Sequence, residues 1–529
     1  LETIMNAGKL ESYVEGRWQA GTAEGRPLVN PTTGEELGRV DATGIDCAAA
    51  TGHARTAGLP ALQAMTFAER GGLLRGIADA LTANRDAYVD IARLNSGNTA
   101  VDASIDIDGG IGTLKVYAGH GKKLGDATTI MEAETVQLAR EDVFRAGHIW
   151  TSRPGVGVHI NAFNFPSWGM WEKVACSLLA GVPAVAKPAS ATAWLSHQMV
   201  RDVIAAGVVP DGVLSLICGS GEGLLEALGP FDQLAFTGSA DTALMLRSNG
   251  NILQHAPRLN IEADSVNATI LGPDAKPGDP VYDLLVREAV KALSVKAGQL
   301  CTNIRRIFVP ADQLASVSEA IAAKISGMSV GDPANESVRM GPLINKAQQQ
   351  AAFDGLAALS AETTVVSGGG APEALDGGDA ERGAFVAPTL LSCTDPGAAR
   401  AVHETEVFGP VSTIMPYEGA DGGASLAAYG GGSLAVSVFT NDANHAARTA
   451  SLVAPYHGRV LVVDEEVGKN STGHSIVMPQ CVHGGPGRAG GGEELGGLRG
   501  LRFYMQRSAV QGSPTLLAGL ADSSAEATL

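Results

Sequence analysis

The chain has 529 residues, enough for about three domains of roughly 100–200 residues each, so a small isolated module is excluded. Hydrophobic residues make up 45% and charged residues 18%, with mean hydropathy +0.09, the profile of a packed globular protein rather than a disordered chain. Lys and Arg number 38 against 56 Asp and Glu, a formal charge of −18 with pI about 5.1; such a surface repels polyanions, and nucleic acid is not an expected partner.

The N-terminal stretch LETIMNAGKLESYVEG carries neither a basic segment nor a continuous apolar one, so a cytoplasmic protein is expected. Leu1–Ile4 reads as an addition ahead of a native Met5. Residues 61–95 carry a helical pattern with Phe67, Leu73, Leu74, Ile77 and Leu81 on one face, and Thr66 with Glu69 has capping-box spacing. HIWTSR, ending at Arg153, alternates like an exposed strand that a partner normally covers. From residue 151 short apolar runs (VGVHINAF, VPAVAKP, VLSLICGS, QLAFTGS, RLNIEA) alternate with helical stretches at 192–206 and 222–228, implying a mostly parallel α/β sheet. The longest apolar stretch, Val174–Ala186, is interrupted by Ser177, Gly181 and Pro183 and falls short of the roughly 18 residues of a membrane span. It reads as core. A second α/β segment follows, with helices near 281–296 and 311–326 and strands at RRIFVP and AVSVFT.

Six cysteines stand tens of residues apart, with no CxxC pair and no Cys/His cluster at zinc spacing, so neither disulfides nor a metal site is expected. Glycine is in excess: 67 residues, nearly twice the usual share of about 7%. Gly368–Gly370 and Gly430–Gly432 read as tight turns at sheet edges. Val482–Leu498 (VHGGPGRAGGGEELGGL) reads as a loop shaped around something. It contains Gly485-x-Gly487-x-x-Gly490, a formal dinucleotide fingerprint, but without the strand before and the helix after that the fingerprint requires.

Phe236-Thr237-Gly238-Ser239 closes an apolar run ahead of a helical segment, and two readings stand: an anion site at a helix start, or an ordinary turn with Ser239 as N-cap. Cys301, in KAGQLCTNIRR, is either a small buried hydrophobe or, given its polar neighbours, a nucleophile. Glu262 ends a strand-like run, as a paired carboxylate or as a general base beside an apolar wall; Asn164 is a turn residue or an oxyanion donor. Trp168 and Trp171 are core aromatics or the walls of an entrance.

Taken in order, Asn164-Phe165-Pro166, Lys187-Pro188, Phe236–Ser239, Glu262, Gly298-Gln299 with Cys301, and Glu406-Val407-Phe408-Gly409-Pro410 resemble the motif series of the aldehyde dehydrogenase superfamily. HINAFNFPSWGM, IEADS, KAGQLC, the glycine-rich loop and YMQRSAVQGSPT are similar to its subgroup that oxidises semialdehydes of CoA thioesters in aerobic aromatic degradation, in benzoate or phenylacetate catabolism. The chain ends shortly after GSPT, like the form without a fused hydratase domain. Two features depart from the wider superfamily: about five extra residues around PGDPVYD, and Ala-Asp-Ser after Glu262 where many members have Leu-Gly-Gly.

The resemblance implies an α/β fold with a Rossmann-type cofactor domain over 1–144 and 156–264 and a catalytic domain over 265–480. A glycine-rich loop over 481–497 and a small β oligomerisation arm from 145–155 and 498–529 complete it, in a dimer or higher oligomer. It implies that Cys301 attacks the aldehyde, that Asn164 holds the oxyanion, that Glu262 activates water, and that Lys173 and Glu494 pass its proton on. Cofactor contacts fall to Lys187, Ser190, Gly219, Thr237, Gly238, Ser239, Glu406 and Phe408, and the substrate entrance to Phe165, Trp168 and Gly169. Ser190 stands where a carboxylate favours a free 2'-hydroxyl, so NADP is the expected cofactor. A CoA-acylating dehydrogenase and a catalytically silent protein on the same fold are the alternatives; Glu262 argues against the first, and Cys301, Glu262 and Asn164 together against the second.

Overall fold

A computed structural model describes residues 6–527 and 529, so the segment Leu1–Ile4 lies outside the described residues. The apolar runs pair into a nine-stranded sheet whose parallel half has the order Arg258–Glu262, Gln233–Thr237, Gly157–Ile160, Ala184–Lys187, Leu214–Leu216. These strands are buried almost throughout, as expected where helices cover both faces and alternation disappears. Gly8–Val14 then joins antiparallel to Leu214–Leu216 and carries the N-terminal strands.

The helix Phe67–Ala83 begins as its spacing predicts. Thr66 Oγ1 accepts from the Glu69 N–H, and the Glu69 carboxylate accepts from the Thr66 N–H. Phe67, Leu74, Ile77 and Leu81 are fully buried against the helix Ala100–Leu124, which in turn packs on Trp168–Ala180. Every residue from Met170 to Ala180 is buried, so the longest apolar run is core, and among the described residues no helix is long and apolar enough to cross a membrane. The helix expected at 222–228 is instead a series of turns, because Gly221 and Gly223 adopt φ +66° and +80° and interrupt it.

A seven-stranded sheet follows, ordered Thr364–Ser367, Thr389–Ser392, Val411–Tyr417, Arg306–Pro310, Ala268–Leu271, Ser433–Phe439, His457–Val463, parallel except at its first edge. The extra residues around PGDPVYD form the start of the helix Pro280–Ser294. Gly368–Gly370 turns after the edge strand Thr364–Ser367, as expected. Gly430–Gly432 instead precedes an interior strand, and a side chain at Gly432 would overlap the Pro486 carbonyl. That cluster is a seat for the glycine-rich loop rather than an edge turn.

Arg145–Ser152 pairs antiparallel with Met505–Gly512 over eight residues each, in register from Arg145↔Gly512 to Ser152↔Met505. Ile130–Met131, Val136–Gln137 and Ala525–Glu526 complete this small sheet, and Met505–Gly512 is a largely exposed edge strand of it, with no partner on its outer side among the described residues. The glycine-rich loop is a hairpin of Val482–Gly484 on Glu493–Leu495. Its tip lies on the strand Arg258–Glu262, with the Gly490 backbone at φ +109° and no room for a side chain beside the Ile261 carbonyl. Gly490→Ala therefore forces hairpin and strand apart next to Glu262. Steady-state assays are expected to show at least a tenfold loss of kcat, since displacements of about 1 Å in an active site cost on the order of a hundredfold.

Candidate active site

Cys301 sits on the loop between the helix Pro280–Ser294 and the strand Arg306–Pro310, and that loop is held in a strained form. Lys296, Ala297 and Gly298 lie consecutively at φ +49°, +51° and +70°; the two non-glycine residues each cost about 1–2 kcal/mol, offset by fixed hydrogen bonds. Asn267 Nδ2 donates to the carbonyls of Cys301 (2.8 Å) and Asn303 (2.9 Å), Gln299 Oε1 accepts from the Ile344 N–H (3.1 Å), and Thr302 Oγ1 donates to the Ser475 carbonyl (2.7 Å). Gly298 has no room for a Cβ beside Gly409. The thiol is thereby fixed in position before any ligand arrives.

Glu262 ends its strand 2% exposed. Its Oε2 lies 3.1 Å from His483 Nε2, and the same nitrogen lies 3.6 Å from Cys301 Sγ. His483 Nδ1 lies 3.6 Å from Glu172 Oε1, and Lys173 Nζ is 3.1 Å from Glu494 Oε2 and 3.6 Å from Glu172 Oε1. Burial pushes the Cys301 thiol up to about 11, with the Glu262 charge adding to it and His483 opposing. Burial disfavours the imidazolium of His483, yet Glu262 and Glu172 overcome it and hold the ring well above its ordinary value. At 3.1 Å and an effective dielectric of about 20, one such attraction is about 5 kcal/mol, and His483 has two carboxylate neighbours. Burial raises Glu494 to about 7 against the pull of Lys173.

Asn164 lines both cavities that meet at Cys301. Its Nδ2 donates to the Gln299 carbonyl at 3.1 Å, leaving the second amide hydrogen for another acceptor.

One cavity, of about 1170 Å3, runs along the carboxyl ends of the parallel strands past Lys187, Thr237, Gly238, Ser239, Glu406 and Phe408. That is where an open α/β sheet binds its ligand. Thr237 Oγ1 and Glu406 Oε1 are buried in its wall without a hydrogen-bond partner, as groups awaiting a polar ligand would be, so the cleft fits a nicotinamide dinucleotide. Burial raises Glu406 to about 7 against the pull of Arg305. Ser239 caps the helix Ala240–Arg247 through the Thr242 N–H at 3.3 Å, and the Ala240 N–H is taken by Asp264 at 2.9 Å. The turn reading of this segment therefore holds, and its residues still face the cleft. Ser190 Oγ lies 3.4 Å from the Gly219 carbonyl, beside the cleft near Lys187 rather than in its wall.

The second cavity, of about 490 Å3, reaches Cys301 between Phe165, Trp168, Gly169, Ser475 and Val477. Trp168 is a wall, packed edge-on to Phe165 at 6.0 Å, whereas Trp171 is fully buried core. Asp106 fixes this wall by accepting from the Trp168 N–H at 2.8 Å while facing the buried Lys296, whose ammonium lies 4.4 Å from the Phe165 ring centroid.

Sequence reasoning missed His483, Glu172 and Asn267. Glu172 carried a signal: with Lys173 it supplies the only charge of the apolar helix Trp168–Ala180. His483 is the one ring within the glycine-rich loop and was absorbed into it. The Ala-Asp-Ser departure has local uses: Asp264 meets the Ala240 N–H, and the Ser265 N–H donates to Glu406 at 3.3 Å. The formal fingerprint Gly485–Gly490 contributes nothing to the cofactor cleft wall.

Residues 18–510 match the Aldehyde dehydrogenase family. The chain belongs to the aldehyde dehydrogenase family. It is 50% identical over 478 residues to 3,4-dehydroadipyl-CoA semialdehyde dehydrogenase of Aromatoleum evansii, spanning 90% of this chain and 93% of that one. It is also 47% identical over 182 residues to Protein MaoC of Klebsiella aerogenes, 34% of this chain and 52% of that protein. Betaine aldehyde dehydrogenase of Staphylococcus aureus, solved with NAD+, superposes with TM-score 0.83 at 24% identity over 95% of both chains. PnpE, solved with nicotinamide adenine dinucleotide, gives 0.82 at 23% over 96% of this chain and 98% of that one. This aldehyde dehydrogenase is thus an aldehyde-oxidising oxidoreductase with the α/β architecture of those structures.

With its thiol raised to about 11, Cys301 of the cofactor-free enzyme is protonated at neutral pH. Its alkylation rate is expected to rise about tenfold per pH unit between roughly pH 8 and 10. Iodoacetamide inactivation followed across that range checks this; a rate that is flat there contradicts it.

Proposed function

We propose that this aldehyde dehydrogenase oxidises a CoA-linked semialdehyde, 3,4-dehydroadipyl-CoA semialdehyde, to the free acid with NADP. The observation that carries the reading is the meeting of a long cleft and an aromatic-walled cavity at one thiol, with Glu262 and Asn164 on both. The 50% identity to the Aromatoleum enzyme supports the choice of aldehyde. In this reading the nucleotide end of the CoA ester stays outside while the aldehyde end enters that cavity.

In this reading the Cys301 thiolate adds to the aldehyde carbon, and the Asn164 amide, with the Cys301 N–H, holds the oxyanion of the thiohemiacetal. The bound dinucleotide supplies the hydride acceptor. Loss of hydride leaves a thioester on Cys301, and Glu262 takes a proton from water as it attacks that carbonyl, releasing acid and thiol. Glu494, raised to about 7, and Lys173 at 3.1 Å from it are placed to carry that proton away. Glu406 and Phe408 hold the nicotinamide end of the cleft, with Phe408 edge-on to Phe163 at 5.6 Å.

The cofactor preference is supported by Ser190, which stands where a carboxylate would repel a 2'-phosphate. A second copy of the chain is proposed to cover the Met505–Gly512 edge.

Cys301→Ala is expected to abolish NADP reduction, whereas Glu262→Gln should still release a single turnover of NADPH, in a slowed burst, and lose about a hundredfold or more in steady-state kcat. Acid formed without added CoA distinguishes hydrolysis from acyl transfer to CoA. Ser190→Glu should shift the NADP-to-NAD ratio of kcat/KM at least tenfold toward NAD, and a wild-type preference for NAD would overturn the NADP assignment.

A further inference from the structure

We propose that His483 is the counter-cation of the Cys301 thiolate: its imidazolium, lodged between Glu172 and Glu262, keeps its Nε2 contact on Sγ as the thiol proton passes to Glu262. This rests on the reading of Cys301 as nucleophile and Glu262 as base, and adds the group that makes the first step feasible. In that step the S–H bond breaks and an O–H bond forms on Glu262. The imidazolium keeps both ring protons, so the three groups remain neutral in sum before and after.

The geometry is a triangle. Sγ, a Glu262 carboxylate oxygen and a His483 ring nitrogen all lie within 4.8 Å of one another. The contact to Sγ has hydrogen-bond geometry at 3.6 Å, while Glu262 lies closer, at 3.1 Å, but hydrogen-bonds to no donor. One cation therefore faces both places where the negative charge can reside. Without it, moving a charge from a carboxylate to a buried thiol runs against both burial and the neighbouring acid.

Around the ring, the helix Trp168–Ala180 contributes Glu172 and Lys173; Glu262 comes from its strand and Glu494 from the facing arm of the hairpin. Arg459, on His457–Val463, and Arg305 both sense the charge of Cys301, and Arg459 that of Cys481 as well. Lys173 is paired with Glu494 and does not compete for Sγ. Gly484 and Gly485 follow His483 directly and let the hairpin pack without side chains, so the ring is delivered by backbone that cannot be swapped for bulkier residues.

The test is the pH dependence of Cys301 alkylation by iodoacetamide, with the modified peptide identified by mass spectrometry, in full-length wild-type enzyme and the His483→Gln variant. The amide keeps reach and polarity and removes the charge. Alkylation at pH 8 is expected to slow at least tenfold, with the rate–pH curve displaced upward by about one unit. The NADPH burst should slow in proportion while KM for NADP stays within twofold. His483→Asn, with a shorter amide, repeats the measurement should the Gln variant fold poorly. Wild-type alkylation rates and an unshifted curve, or faster alkylation, overturn the proposal and leave His483 as packing. A burst that persists in Cys301→Ala would instead overturn the underlying assignment of the nucleophile.

Discussion

The active site depends on a backbone contact that excludes side chains. The hairpin Val482–Leu495 lies directly on the strand Arg258–Glu262 through Gly490 and Gly492, and on the second sheet through Gly432 and Gly458. A Cβ at any of these positions would overlap a carbonyl oxygen of the facing segment. Because the strand belongs to the cofactor sheet and Ser433–Phe439 to the catalytic sheet, the hairpin couples the two layers at the point where Glu262 and Cys301 face each other. His483 arrives between them as a consequence.

Around that contact the site is a balance of buried charges. Glu172, Glu262, Glu494, Lys173 and His483 all sit in a small volume, and each alone would pay a large desolvation penalty. Mutual attraction lets them remain there, and it divides their behaviour. Glu172 stays below the usual carboxylate range because His483 and Lys173 outweigh its burial, while Glu494 is carried up toward neutrality. Two carboxyls tuned apart suit different protonation tasks, the general logic of sites that use both acid and base at one pH.

Much of this was legible in one sequence. The nearly unbroken apolar runs of the parallel strands, the Thr66–Glu69 cap and the buried face of Phe67–Ala83 follow from periodicity and local hydrogen bonding. The family followed from six ordered motifs, because chemistry with a cysteine, a base and a dinucleotide fixes residue types at turns between elements. The short segment 222–228 misled, since its leucines suggested a helix while its glycines took left-handed backbone. Gly430–Gly432 misled differently: a glycine cluster looks alike whether it turns a sheet edge or admits another backbone.

The sequence by itself determined most of the elements and the family, and singled out Cys301, Glu262 and Asn164 as candidates, since each is encoded by local pattern or by residue type at a recognisable motif. Only the tertiary structure decided that Trp168 is a wall and Trp171 core, that Asn267 fixes the catalytic loop, and that His483 stands between acid and thiol. Those facts depend on close approach between segments as far apart as residues 172, 262, 301 and 483. Local propensity carries no information about such approach; it is set by where glycine allows two backbones to touch and by which charges must then neutralise one another.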